Sequence, residues 1–150
     1  MSLEEITNYR EISERLASSG QPHEMQFKEV AVAGFEVVIN LAMPNSENAI
    51  PEEGYIVTAR KMAYVHLAVP FEAPTVEHLR SFFALMQAFE SRKCWVHCVV
   101  NYRVSAFLYQ YFRLVRRMDE EEARKVVLEE WKPNEVWQEF MALEAKDVWL

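Results

Sequence analysis

Apolar and polar positions along this chain repeat with two periods, and the alternation between them sets out its elements. The run Phe35–Ala42 is β-branched and nearly all apolar, which predicts a central strand covered on both faces. Ala63–Val69, ended by Pro70, predicts a second strand, and the short apolar run Cys94–His97 a third. Between them the spacing turns helical. His23–Ala33 carries Met25, Phe27, Val30 and Val32, with Gly34 as a C-terminal cap. Pro51 opens a helix that reaches Lys61, with Glu52 and Glu53 suited to its first turn. Thr75 caps a strongly amphipathic helix with Val76, Leu79, Phe82, Phe83, Met86 and Phe89 on one side. From Val104 to Met118 the apolar residues again fall at helical spacing. Asp119 opens a further helix carrying Val126, Val127 and Trp131, and beyond Pro133 the stretch Glu135–Val148 predicts a last one. Glu4–Arg15 fits either a short helix or the approach to an edge strand, and Arg15–Pro22 ends in turn residues.

Strands alternating with helices imply an α/β fold, a parallel central sheet flanked by helices and built from right-handed crossovers. In such a sheet ligands bind beyond the carboxyl ends of the strands. Cys98 and Glu72 each follow a strand end, so the topology places both on one rim, though they are far apart in sequence.

Composition narrows the function classes. A chain of 150 residues with 51% hydrophobic content supports one well-packed core, and we expect a single domain over 1–150. The net charge of -7 argues against nucleic acid or an anionic membrane surface as partner, so an anion site must be local. No apolar run approaches a membrane span, and the first residues have no basic start or apolar signal core, so a cytoplasmic location is expected. Cys94 and Cys98 lie along one strand, and four steps of about 3.3 Å put their Cα atoms too far apart for a disulfide. Two cysteines and four scattered histidines make no recognised zinc spacing, so no metal or other cofactor is expected. Arg113, Arg116 and Arg117 form a basic patch that reads as a solvated helix face.

The chemistry concentrates between Cys98 and Ser105. A strand that feeds a tight loop and then a helix leaves unpaired N–H groups at the helix start, with the helix dipole behind them, and these converge on an anion. A cysteine at the mouth of that loop shares the field, which favours its thiolate. The plainer reading is a buried structural cysteine ahead of a core helix.

His97-Cys98-Val99-Val100-Asn101-Tyr102-Arg103-Val104-Ser105 resembles the signature of the protein tyrosine and dual-specificity phosphatases: His-Cys, two residues, Gly, two residues, Arg, then Ser or Thr. His97, Cys98 and Ser105 match; Asn101 stands where the family has glycine and Val104 where it has the phosphate-binding arginine. The likeness extends through Ile12–Pro22, Phe35–Ala42 and Tyr64–Thr75 to a small bacterial branch of phosphatase-like proteins. It implies a phosphatase-like domain over nearly the whole chain. In it Cys98 would be the nucleophile, and the substrate would be held by the loop residues Val99, Val100, Asn101, Tyr102, Arg103 and Val104. His97 would order the loop, and Ser105 would hydrogen-bond the Cys98 sulfur or cap the helix. Glu72, the one carboxylate in Pro70–Pro74, would take the place of the family's general acid, or face solvent. Asparagine tolerates the positive φ that the family's glycine takes. Valine offers no donor to phosphate, and one step around a helix turns a side chain by about 100°, so Arg103 replaces the missing guanidinium only if the loop is rearranged.

Three functions follow as alternatives. The first is a cysteine-dependent phosphatase acting on a phosphate-bearing small molecule or phosphoprotein through a Cys98 thiophosphate intermediate. The second is an inactive descendant that binds a phosphorylated ligand or a protein. The third, suggested by the four residues between Cys98 and Arg103, is a rhodanese-like sulfurtransferase.

Overall fold

The computed structural model describes residues 2–149 and consists of a five-stranded sheet between two layers of helices. The strands are β1 (Arg10–Ser13), β2 (Leu16–Ser19), β3 (Val37–Asn40), β4 (Ala63–His66) and β5 (Cys94–His97), in the spatial order β1-β2-β5-β3-β4. Every pairing is parallel except that of β1, which runs antiparallel to β2 at one edge. β5, the apolar run ahead of Cys98, lies in the centre between β2 and β3.

Side chains alternate across the sheet and feed two cores. Leu16, Val37, Ile39, Cys94 and Val96 face one side. There they meet α3 (Val76–Ala88), α4 (Tyr102–Gln110), α6 (Glu135–Met141) and α7 (Ala145–Val148). Ala17, Val38 and Trp95 face the other side and pack with Ile6, with Phe27 and Val30 of α1 (Glu24–Val32), and with Val57 of α2 (Glu53–Ala59). α5 (Glu120–Ala123) is a single turn capped by Asp119, whose side chain accepts from Glu122 N–H.

Several elements differ from the sequence-based expectation. Glu4–Arg15 divides into a 3-10 turn at Leu3–Glu5 and the edge strand β1, and Leu16–Ser19, within the expected turn, is a fully buried strand. Its serines fit there because they are bonded: Ser19 Oγ accepts from Trp95 Nε1 (2.8 Å) and Ser18 Oγ from Asn101 Nδ2 (3.1 Å). The long helix loosens to π geometry over Tyr111–Val115, and Arg117, at φ 55°, ends it. The helix expected after Asp119 stops at Ala123 and passes through a 3-10 turn, so Val127 and Trp131 lie outside it. Glu135–Val148 breaks between Met141 and Ala145, because Gln110 Nε2 and Arg113 take the carbonyls of Phe140 and Leu143. His66 is exposed at the end of β4, with Nε2 2.6 Å from Ala42 O.

Candidate active site

The carboxyl ends of β2, β3, β4 and β5 open on one rim, and the loop Cys98–Asn101 crosses it to start α4 at Tyr102. Neighbouring backbone fixes its path. Cys98 N–H donates to Ser19 O (3.3 Å), Gln21 N–H to Val99 O (2.9 Å) and Asn8 Nδ2 to Val100 O (2.9 Å). Gly20 lies beneath the loop, where a Cβ would come within 2.5 Å of Val99 O. Asn101 takes φ 72°, the left-handed turn that ends the loop, and its Nδ2 ties it to Asn8 O and Ser18 Oγ. The carbonyls of the loop are therefore held outward.

Its N–H groups are not. Among the described residues, the six consecutive amides from Val99 to Val104 have no protein acceptor, and the first amide of α4 bonded to backbone is that of Ser105, which donates to Asn101 O (3.1 Å). Six donors without a protein acceptor at a helix start, with the dipole aligned behind them, are an arrangement that can receive an anion. Asn101 Oδ1 is also buried without a partner.

Arg103 and Val104 occupy different surroundings. Val104 is completely buried in the core beneath the sheet. Arg103 is 6% exposed and lies along the rim: Nη1 donates to Val69 O (2.8 Å), and the guanidinium carbon stands 5.6 Å from the centre of the Phe71 ring. Its Nε is buried without an acceptor. The side chain thus joins the Cys98 loop to the segment 69–74 that follows β4. That segment is also held by Trp137, whose Nε1 donates to Phe71 O (2.8 Å) and whose ring packs on Phe71. Glu72 is exposed in the turn closed by Ala73 N–H on Pro70 O.

Cys98 is buried, as is Ser105, whose Oγ accepts from Leu128 N–H (3.3 Å), leaving the hydroxyl hydrogen to donate elsewhere. His97 is fully buried, with Nδ1 3.3 Å from Cys98 O. Its Nε2–H donates to Glu53 Oε2 (2.6 Å), and Gln21 Nε2 holds the other carboxylate oxygen (2.8 Å). Burial raises the Glu53 pKa, but His97 first, then Gln21 and Tyr64, outweigh it and leave the carboxyl below its ordinary value. Glu53 is the site residue that sequence reasoning missed. A glutamate in a helix's first turn is explained by the dipole alone, and its partner lies 44 positions away. Burial pushes the thiol of Cys94, at the opposite end of β5, up to about 11.

Among the described residues no cluster of His, Cys, Asp and Glu has metal-binding geometry, and no helix is long and apolar enough to cross a membrane.

No family model and no curated protein matches the sequence. Solved structures do. A crystal structure of a phosphatase-like DUF442 protein from Shewanella putrefaciens is 35% identical, covers 93% of this chain and 91% of its own, and superposes with a TM-score of 0.82. Tk-PTP in its active form is 22% identical over 94% of this chain and 95% of its own, with a TM-score of 0.74. P. aeruginosa TpbA in complex with phosphotyrosine is 15% identical over 81% and 72%, with a TM-score of 0.66. The last two carry the fold alone. By its identity and coverage with the first, the chain belongs to the DUF442 family of phosphatase-like proteins, within the protein tyrosine and dual-specificity phosphatase fold.

Proposed function

We propose that the protein hydrolyses phosphate monoesters through Cys98, with Arg103 as the guanidinium that the signature lacks at Val104. The observation that carries this reading is the set of six unpartnered amides directly after Cys98, together with the buried, unpartnered Nε of Arg103 on the same rim. With Nη1 held by Val69 O, Nε and the adjacent Nη2 form a fork of the geometry that suits two phosphate oxygens. The loop amides bind the dianion, and the Cys98 thiolate attacks phosphorus in line with the ester oxygen. The S–P bond forms as the P–O bond breaks, and Glu72 gives its proton to the departing oxygen. Glu72 then takes a proton from water as that water attacks phosphorus. The S–P bond breaks, inorganic phosphate leaves, and Ser105 O–H steadies the released thiolate. His97, anchored by Glu53, lies against the backbone of Cys98 and orders the loop. The substrate is a phosphate-bearing small molecule or a phosphoprotein. The two free thiols suit the reducing cytoplasm.

The experiment is hydrolysis of an aryl phosphate alongside the thermal shift caused by inorganic phosphate, for wild type, Cys98→Ser and Arg103→Lys. Turnover should vanish in Cys98→Ser, while Arg103→Lys, which keeps the charge and loses the fork, should weaken phosphate binding roughly tenfold. Phosphate stabilisation without turnover in wild type would instead identify a phospho-ligand binding domain. Release of thiocyanate from thiosulfate and cyanide would identify a sulfurtransferase.

A further inference from the structure

The opposite end of the sheet carries a second concavity. A cavity of about 440 Å³ opens below the first residues of β2 and β5, Leu16 and Cys94, one strand length from the Cys98 loop. That volume is within the range of small-molecule sites. Its walls are the end of α3, the β1 edge and the π-helical segment. Ile12, Phe89, Phe112 and Met118 are half-buried there, their apolar surface left uncovered by the chain.

Charge at the mouth decides what such a space accepts. Four cations line it, Arg15, Arg92, Arg116 and Lys125, against two acids, Glu90 and Glu122. Arg92 is paired with Glu36 and Lys125 with Glu122. Arg15 is exposed and held by one bond to Ser91 O, and Arg116 is exposed with no side-chain partner among the described residues. In a chain of net charge -7, an apolar cavity rimmed by two arginines that have no carboxylate partner among the described residues is a local reversal of sign.

The geometry points to a binding site for an amphipathic monoanion, a single carboxylate on a long alkyl tail of the fatty-acid class, with the head on Arg15 and Arg116 and the tail against Phe89, Phe112 and Met118. The tail covers the exposed apolar surface, and one head group matches the two arginines; a cationic or uncharged head leaves them unpaired. The site is independent of the chemistry at Cys98.

Isothermal titration with dodecanoate and with dodecyltrimethylammonium, both below their micellar concentrations, tests the head. Wild type should bind dodecanoate at least tenfold more tightly than the cation. Arg15→Glu/Arg116→Glu, both at exposed positions and so expected to leave the thermal midpoint unchanged, should reverse that order. Hydrogen exchange should show dodecanoate protecting the segment 111–118 and not 99–105. Undetectable dodecanoate binding, equal affinity for the two head groups, an unchanged preference in the double variant, or protection confined to the Cys98 loop would each overturn the assignment.

Discussion

Val104→Arg separates the two ways in which this loop can hold phosphate. In the usual signature an arginine at this position points into the anion site, so restoring it should improve binding. Here the Val104 side chain is completely buried, packed in the core that α3, α4 and α6 build beneath the sheet. An arginine at that position must carry its charge into the core without a partner, or distort α4 to escape. Overpacking costs about 1–3 kcal/mol, and an uncompensated buried charge about 3–5 kcal/mol. Local rearrangement relieves part of both, so a net loss of about 3–6 kcal/mol is expected. At roughly 2–4 °C per kcal/mol for a chain of this size, the midpoint should fall by about 6–24 °C. Urea denaturation followed by tryptophan fluorescence gives the stability, and phosphate-dependent thermal shift on the same samples gives the affinity. A Val104→Arg protein as stable as wild type that binds phosphate more tightly would refute the placement of Val104 and the assignment of the fork to Arg103.

Other consequences are separately measurable. Glu72→Gln should slow hydrolysis of a poor leaving group by about 10²-fold or more and remove the basic limb of the pH profile, with a smaller effect on an activated aryl phosphate; equal losses for both leaving groups would exclude proton donation. Iodoacetamide should alkylate Cys98 near neutral pH and leave Cys94, whose thiol is pushed up to about 11, unmodified until strongly alkaline pH, as mapped by mass spectrometry; identical pH profiles would remove the case for an activated nucleophile. Glu53 titrates below its ordinary 4.5 in the folded chain, so the unfolded chain takes up that proton first as pH falls. Its stabilisation is complete above about pH 5 and is lost as the pH drops through the folded value. Wild type should therefore lose stability more steeply than Glu53→Gln below about pH 5, in denaturation midpoints measured across that range; parallel curves would show that the carboxylate carries no linkage.

The fold was legible because its central strands are unambiguous. Val37–Asn40 and Cys94–His97 are apolar on both faces, as a strand between two helical layers must be. The strand Leu16–Ser19 was not legible, since half of it is serine, and its burial depends on Trp95 and Asn101, about eighty positions away. Helix ends were misplaced for a similar reason. Nothing local foretells that Gln110 and Arg113 reach across to the carbonyls of Phe140 and Leu143 and stop the last helix. At the candidate site, the spacing placed Cys98 at the strand-to-helix turn after β5 and Glu72 after β4, two strands away on the same rim of the sheet. The Glu53–His97 pair and the hold of Arg103 on Val69 are contacts between distant segments, which periodicity does not record.

The most direct test is acid-quenched mass spectrometry of the protein during turnover of an aryl phosphate. The proposed mechanism predicts a peptide containing Cys98 that carries one phosphoryl group during turnover and loses it once substrate is exhausted, with none on Cys94. Hydrolysis that proceeds with no phosphoryl group on Cys98, or that persists in Cys98→Ser, would contradict it.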